Sequence, residues 1–192
     1  MREKETGLEV AYLFWEASVN RNLEAPLPPP SPPGAEHPQI STVSETECFD
    51  PLSCDVYPEN SVVLSVDTIT TYLETALAVL GLHTEARTSF ITYWLPSFLK
   101  HTYIALRFVS QASYELAAPL EITPAPEAVR RVYMLFKGVP GDDLGPTWDE
   151  SMNRAQEDVR FWRDVVGVED RTAGEVPRLE VLEWGGMEIA SS

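Results

Sequence analysis

Basic residues are scarce: fourteen Lys and Arg stand against thirty Asp and Glu in 192 residues, a formal charge of −16. So negative a chain repels phosphate backbones and anionic lipid heads, which argues against general nucleic-acid or membrane-surface binding and otherwise serves solubility. Long apolar runs are missing as well. None approaches the ~20 residues that cross a bilayer, so no membrane span is expected. Cysteine is limited to Cys48 and Cys54, with five residues between them in a loop-like stretch. The pair could close a small ring if oxidised, but two thiols of a cytosolic chain are expected to stay reduced. A structural zinc site wants about four ligands from paired Cys or His motifs, and the sequence has none. Neither a metal nor an organic cofactor is expected. At the N-terminus, Glu3, Glu5 and Glu9 interrupt any continuous apolar stretch of the kind a secretory signal needs, and a cytoplasmic protein is the expectation.

Catalytic strings are absent too. There is no GxSxG elbow for a nucleophilic serine and no GxxxxGK[ST] phosphate cradle. The nearest glycine-rich text to such a cradle, Gly138-Val139-Pro140-Gly141-Asp142-Asp143, is acidic where a nucleotide site needs donors and positive charge.

What is present suits a folded domain. The chain is 44% hydrophobic with 10% aromatic residues, and its length fits one domain with a single core. Residues 8–15, LEVAYLFW, read as a buried strand ending at Trp15-Glu16. Pro26, Pro28, Pro29, Pro30, Pro32, Pro33 and Pro38 then crowd a stretch that can only be extended, and residues 23–60 read as a proline-rich, acidic surface insertion. Its PPPSPP run could dock an aromatic-lined groove, but a linker needs no partner. Ser65 is placed to cap a helix with Val66, Ile69, Leu73, Ala76, Leu77 and Leu80 on one face and Gly81 as its stop. A second helix is expected from Thr84, its hydroxyl capping the first turn and Pro96 kinking or ending it. Strands follow at 101–109, 119–123 and 130–138. A third helix opens at Asp149, carries Met152, Ala155, Val159, Trp162 and Val166 inward and stops at Gly167. A last strand runs through RLEVLEWGG. The fold expected is a single α+β domain over 1–192: a mainly antiparallel sheet with about three helices packed on it. Phe90, Trp94, Phe98, Ile104, Leu106 and Phe108 are expected to pin helix to sheet, each burial worth ~1.5–3 kcal/mol with no ligand invoked.

Candidate chemistry is thin. His37 lies in the proline run, leaving His83 and His101, both at element junctions where a histidine caps or meets solvent. Glu16 and Glu183 each adjoin a tryptophan, Trp15 and Trp184, and two carboxylates held ~5–9.5 Å apart could cleave a glycosidic bond, with Arg131 or His101 assisting. Strand alternation gives the plainer reading, in which the tryptophans are core and the glutamates face water. Arg130-Arg131 is the adjacent basic pair; one arginine is expected in an internal ion pair, and the other could bind an anion.

The strings YLETALAVLGL, FITYWLP, APLEITPAPEAVRRVYMLFKG and RLEVLEWGGMEI resemble a set of uncharacterised fungal proteins. More distantly, they resemble a bacterial domain associated with the extracytoplasmic tails of membrane zinc metallopeptidases. The likeness covers residues 8–16 and 60–189. It implies an accessory or interaction domain rather than a peptidase, because the metal-binding HExxH is absent, and it carries over no functional residue. The proline-rich insertion departs from the shorter bacterial connection. Together these readings lead to a non-catalytic module with a protein partner, or self-association into a homo-oligomer. A hydrolase of a carbohydrate or small polar substrate, acting through Glu16, Glu183 and His101, is the alternative.

Overall fold

A computed structural model of the chain describes residues 2, 4–17, 49–168 and 179–190. The chain separates into two compact units, residues 1–41 and 42–192. In the first, the expected strand over 8–15 does not form. A turn at residues 4–6 lets Arg2 and Glu9 form one isolated antiparallel bridge, with the Arg2 side chain donating to the Gly7 carbonyl at 3.2 Å. One rung cannot propagate a ladder, so Leu8, Tyr12, Leu13, Phe14 and Trp15 stay exposed.

The second unit begins, among the described residues, with a segment that the sequence reading placed in a surface insertion. Residues 23–48 of that insertion, with most of its prolines, His37 and Cys48, lie outside the described residues. Within residues 49–60, Phe49 and Val56 are buried, while Leu52 and Tyr57 remain exposed. Strand β1 (Val62–Ser65) leads into helix α1 (Val66–Val79); Ser65 takes the N-cap position, but its hydroxyl pairs with Thr68 Oγ1 at 3.2 Å and caps no backbone amide. Gly81 follows that helix at φ +86°, a conformation glycine adopts without the Cβ penalty. Helix α2 (Thr84–Phe98) is capped by His83, whose Nδ1 accepts from the Ala86 amide at 3.3 Å, and not by Thr84. Pro96 sits in its last turn, where the helix continues two residues beyond it. Strand β2 (Tyr103–Phe108) comes next, then helix α3 (Gln111–Ala117), which the sequence reading did not anticipate. Residues 119–123 form no strand.

Strand β3 (Ala128–Val139) is the sheet's spine. The single helix expected after Asp149 is two helices, α4 (Asp149–Arg154) and α5 (Phe161–Val166). Between them, Asp158 accepts from the Arg160 amide at 3.0 Å, a local side-chain bond that shapes the turn into α5. Strand β4 (Glu180–Glu188) completes the sheet.

The fold is α+β. Strand order is β1-β2-β3-β4, antiparallel from β1 to β3, while β4 lies parallel to β3. The long connection carrying α4 and α5 allows that parallel pairing, since a hairpin cannot. Alternation along β3 sends Val132, Met134 and Phe136 to the face covered by α1, α2 and α5, with Phe90, Phe98, Ile104, Leu106, Phe108 and Trp162. Tyr133, Leu135 and Val139 go to the opposite face, with Phe49, Val56 and Tyr114. The aromatic stretch 88–108 thus glues layers together, as expected: its Phe90, Phe98 and Phe108 are fully buried. No helix among the described residues is long and apolar enough to cross a membrane.

Candidate functional site

The polar centre of the second unit is Arg131. It lies on the α3 face of β3, and the parallel register sets it directly beside Glu183 of β4. Its Nε donates to Glu183 Oε2 at 2.5 Å, and its Nη1 donates to Glu115 of α3 and to the Ala118 carbonyl at 2.7 Å. The guanidinium also lies 4.3 Å from the centroid of the Tyr114 ring, which itself stacks on Tyr133 at 4.6 Å. Tyr114 donates its hydroxyl to Glu183 Oε1 at 3.3 Å, and the Arg131 amide donates to Gln111 Oε1 at 2.8 Å. Helix α3 is held in place by Ser110, whose hydroxyl accepts from the Ser113 amide at 3.1 Å.

Charge follows this geometry. Burial would lower the Arg131 pKa, but the carboxylates of Glu183 and Glu115 more than offset it and keep the guanidinium charged. Burial first, and the Glu183 charge second, push the Tyr114 phenol well above its ordinary range. The Leu120 amide, hydrogen-bonded to Glu115, together with Arg131 holds the Glu115 carboxyl below its ordinary value.

Arg130 points to the opposite face. Its Nη1 donates to the Leu80 carbonyl at the end of α1, where a cation also complements the helix dipole, and the guanidinium occupies the space a Cβ on Gly81 would need. Trp184 packs on that same face, its ring 5.4 Å from Phe90 and 6.4 Å from Tyr93. Gly185 and Gly186 then make room for rings: a Cβ on the first would lie 3.3 Å from Tyr133, and on the second 3.2 Å from Trp94. The EWGG string is therefore a packing solution, one face carrying Glu183 and the other Trp184.

His101 stands elsewhere. Its Nε2 is 2.8 Å from Glu188 Oε1 and its ring lies over Gly138, seven residues along β3 from Arg131, roughly 23 Å at strand rise. Trp15 and Glu16 are exposed residues of the first unit. The structure thus joins Arg131 to Glu183, and places Arg130, Trp184 and His101 in three separate environments. Glu115, Tyr114, Gln111 and Glu188 were missed in the sequence reading. For the first three the signal was there: Ser110 as a cap, an Ala-rich run with Gln111, Tyr114 and Glu115 at helical spacing, and Pro119 as a stop.

Beside this cluster, α3, the start of β3 and the end of α5 leave an open cleft of about 480 Å³, walled by Leu120, Val129 and Val165 and bordered by Glu115, Arg131 and Asp164. Among the described residues no group of three or more His, Cys, Asp or Glu is placed to hold a metal ion. Fold and site define an α+β module whose central arginine is locked by its own carboxylates. Compared with protein-family models, with curated proteins and with solved structures, the chain matches none.

Proposed function

We propose that this chain is a non-catalytic protein-interaction module. The observation that carries the reading is the first unit's apolar segment, where Leu8, Tyr12, Leu13, Phe14 and Trp15 expose between 56% and 72% of their surface within eight residues. A contiguous set of large apolar side chains left in water marks a surface that a partner covers. Trp and Tyr are also the side chains on which interface energy concentrates. The charge of −16 directs the module to proteins rather than nucleic acid or membrane surfaces. An accessory role of the kind the fungal and bacterial resemblance implies fits the same picture, and a cytoplasmic setting belongs to the proposal.

The polar cluster supports this reading by what it lacks. General acid or base catalysis needs a carboxylate oxygen within reach of a substrate proton. In Glu183, Oε2 is taken by Arg131 and Oε1 by the Tyr114 hydroxyl. Its role is to hold β4 and α3 on β3.

The test is capture from native-cell extract with the full chain and with Leu13→Ser/Trp15→Ser. Both positions are exposed, so the variant is expected to unfold at the temperature of the parent. The parent should retain a defined protein that the variant loses. Retention of the same proteins by both, or of none by either, overturns the proposal.

A further inference from the structure

Independently of the first unit's segment, we infer that the cleft between α3 and α5 is a binding site for a basic, extended segment of a protein partner. Three observations converge there. Its volume, about 480 Å³, falls in the ~300–1,000 Å³ range of ligand-holding clefts. Its walls are apolar side chains left open to water: Leu120 and Val129 are each 39% exposed and Val165 43%. And Arg131, only 2% exposed, lines the cleft with a donor to spare. Its Nε and Nη1 serve Glu183, Glu115 and Ala118, while Nη2 donates to no described residue.

The charges select the occupant. Glu115 and Asp164 line the cleft, so acids outnumber its one guanidinium two to one, and Arg131 is further paired with Glu183. The Arg131 charge is already neutralised, which leaves Nη2 suited to a neutral acceptor such as a backbone carbonyl rather than to a second anion. An extended peptide supplies that carbonyl and alternates its side chains. Lys or Arg on one side meets Asp164 and Glu115, and aliphatic groups on the other meet Leu120, Val129 and Val165. The chain's overall charge of −16 steers a basic segment in and repels an acidic one.

The probe is a labelled eight-residue peptide alternating Lys and Val, compared with peptides carrying Gln or Glu in place of Lys, added to the full chain and followed by anisotropy and by backbone amide resonances. The Lys peptide is expected to bind about tenfold more tightly than the Gln peptide, to shift the amides of Gln111, Val129 and Val165, and to weaken as salt rises. Asp164→Asn should weaken it about threefold and Asp164→Lys about tenfold, the range of a rim charge. Val165→Ser should weaken all three peptides. Leu13→Ser/Trp15→Ser should change nothing, which separates this site from the first unit's segment. Equal binding of Lys and Gln peptides, indifference to Asp164→Lys, or amide shifts spread over the acidic surface would overturn the inference. So would concentration-dependent shifts of the same amides without peptide, which would make a second copy the occupant.

Discussion

Replacing Arg131 with Met tests whether the polar cluster is a lock. Methionine keeps most of the stem's volume and removes three charge-assisted bonds: to Glu183, to Glu115 and to the Ala118 carbonyl. The consequences differ between partners. Glu115, with 48% of its side chain exposed, regains water at little cost. Glu183, with 15% exposed, keeps its charge beside a strand with only the Tyr114 hydroxyl left, and the Ala118 carbonyl loses its donor. Stripping a fully buried pair of one partner costs about 3–5 kcal/mol. The open edge at Glu115 puts Arg131→Met near the lower end, about 3 kcal/mol, or a fall of about 6–12 °C in midpoint for a unit of this size. Glu115→Gln should cost under about 1 kcal/mol, as exposed pairs do. Arg131→Met/Glu183→Leu removes both charges from the strand pair and should lie within about 1 kcal/mol of the parent, because two apolar neighbours leave no stranded carboxylate. The assay is urea unfolding followed by tryptophan fluorescence and near-ultraviolet circular dichroism, with unchanged denaturant slopes as the check that only stability moved. A loss below about 1 kcal/mol for Arg131→Met, or a double variant as unstable as the two single losses added, would refute the lock.

Two glycines and the buried tyrosines yield further predictions. Gly81→Ala places a Cβ 1.3 Å from Arg130 Nη1 at φ +86°, and should destabilise by about 1–2 kcal/mol, part of it recovered in Gly81→Ala/Arg130→Ala. Gly186→Ala meets the Met134 carbonyl at 2.8 Å, backbone that cannot swing aside, so thermal melts should show a larger loss with altered Trp94 emission. The Tyr72 phenol, hydrogen-bonded from Trp162 Nε1 at 2.8 Å, is pushed up to about 12, chiefly by burial. A folded pKa above the unfolded ~10 means the neutral phenol favours the fold, so this stabilisation is complete below pH ~10 and is lost as pH rises through ~12. Tyr114 acts in the same direction. Alkaline titration of tyrosinate absorbance should therefore show two classes among the seven tyrosines, one ionising only as the chain unfolds. Free ionisation of all seven near pH ~10 in the folded protein would contradict it.

Elements with a local cause were legible in the sequence. Ser65 and Gly81 bracket α1, the alternation at 103–108 and 130–138 makes β2 and β3, and the rings from Phe90 to Phe108 fill the core. Periodicity alone reports which face is apolar and not whether a helix is continuous. Ala155, Trp162 and Val166 are buried as their spacing says, but Met152 is 41% exposed, and the helix expected to carry them is interrupted between Arg154 and Phe161. Alternation likewise misleads at 119–123, where Pro119, Pro124 and Pro126 remove backbone donors and no neighbouring strand pairs with it. The same limit applies at 8–15, where strand composition meets only the Arg2–Glu9 bridge.

The polar cluster marks where local reading ends. An internal ion pair for one of the two arginines follows from charge, but its identity depends on which face of β3 each occupies. It depends further on a parallel register that sets Arg131 beside Glu183 across 51 intervening residues. Long-range register is fixed by the hydrophobic faces of both strands at once: sliding β4 by one residue would carry Glu183 to the α2 face and Trp184 to the Arg131 face. Glycine enforces the same choice, since Gly185 and Gly186 fit against Tyr133 and Trp94 only when Trp184 faces α2. The tryptophan and the two glycines therefore select the register, and the ion pair is its consequence.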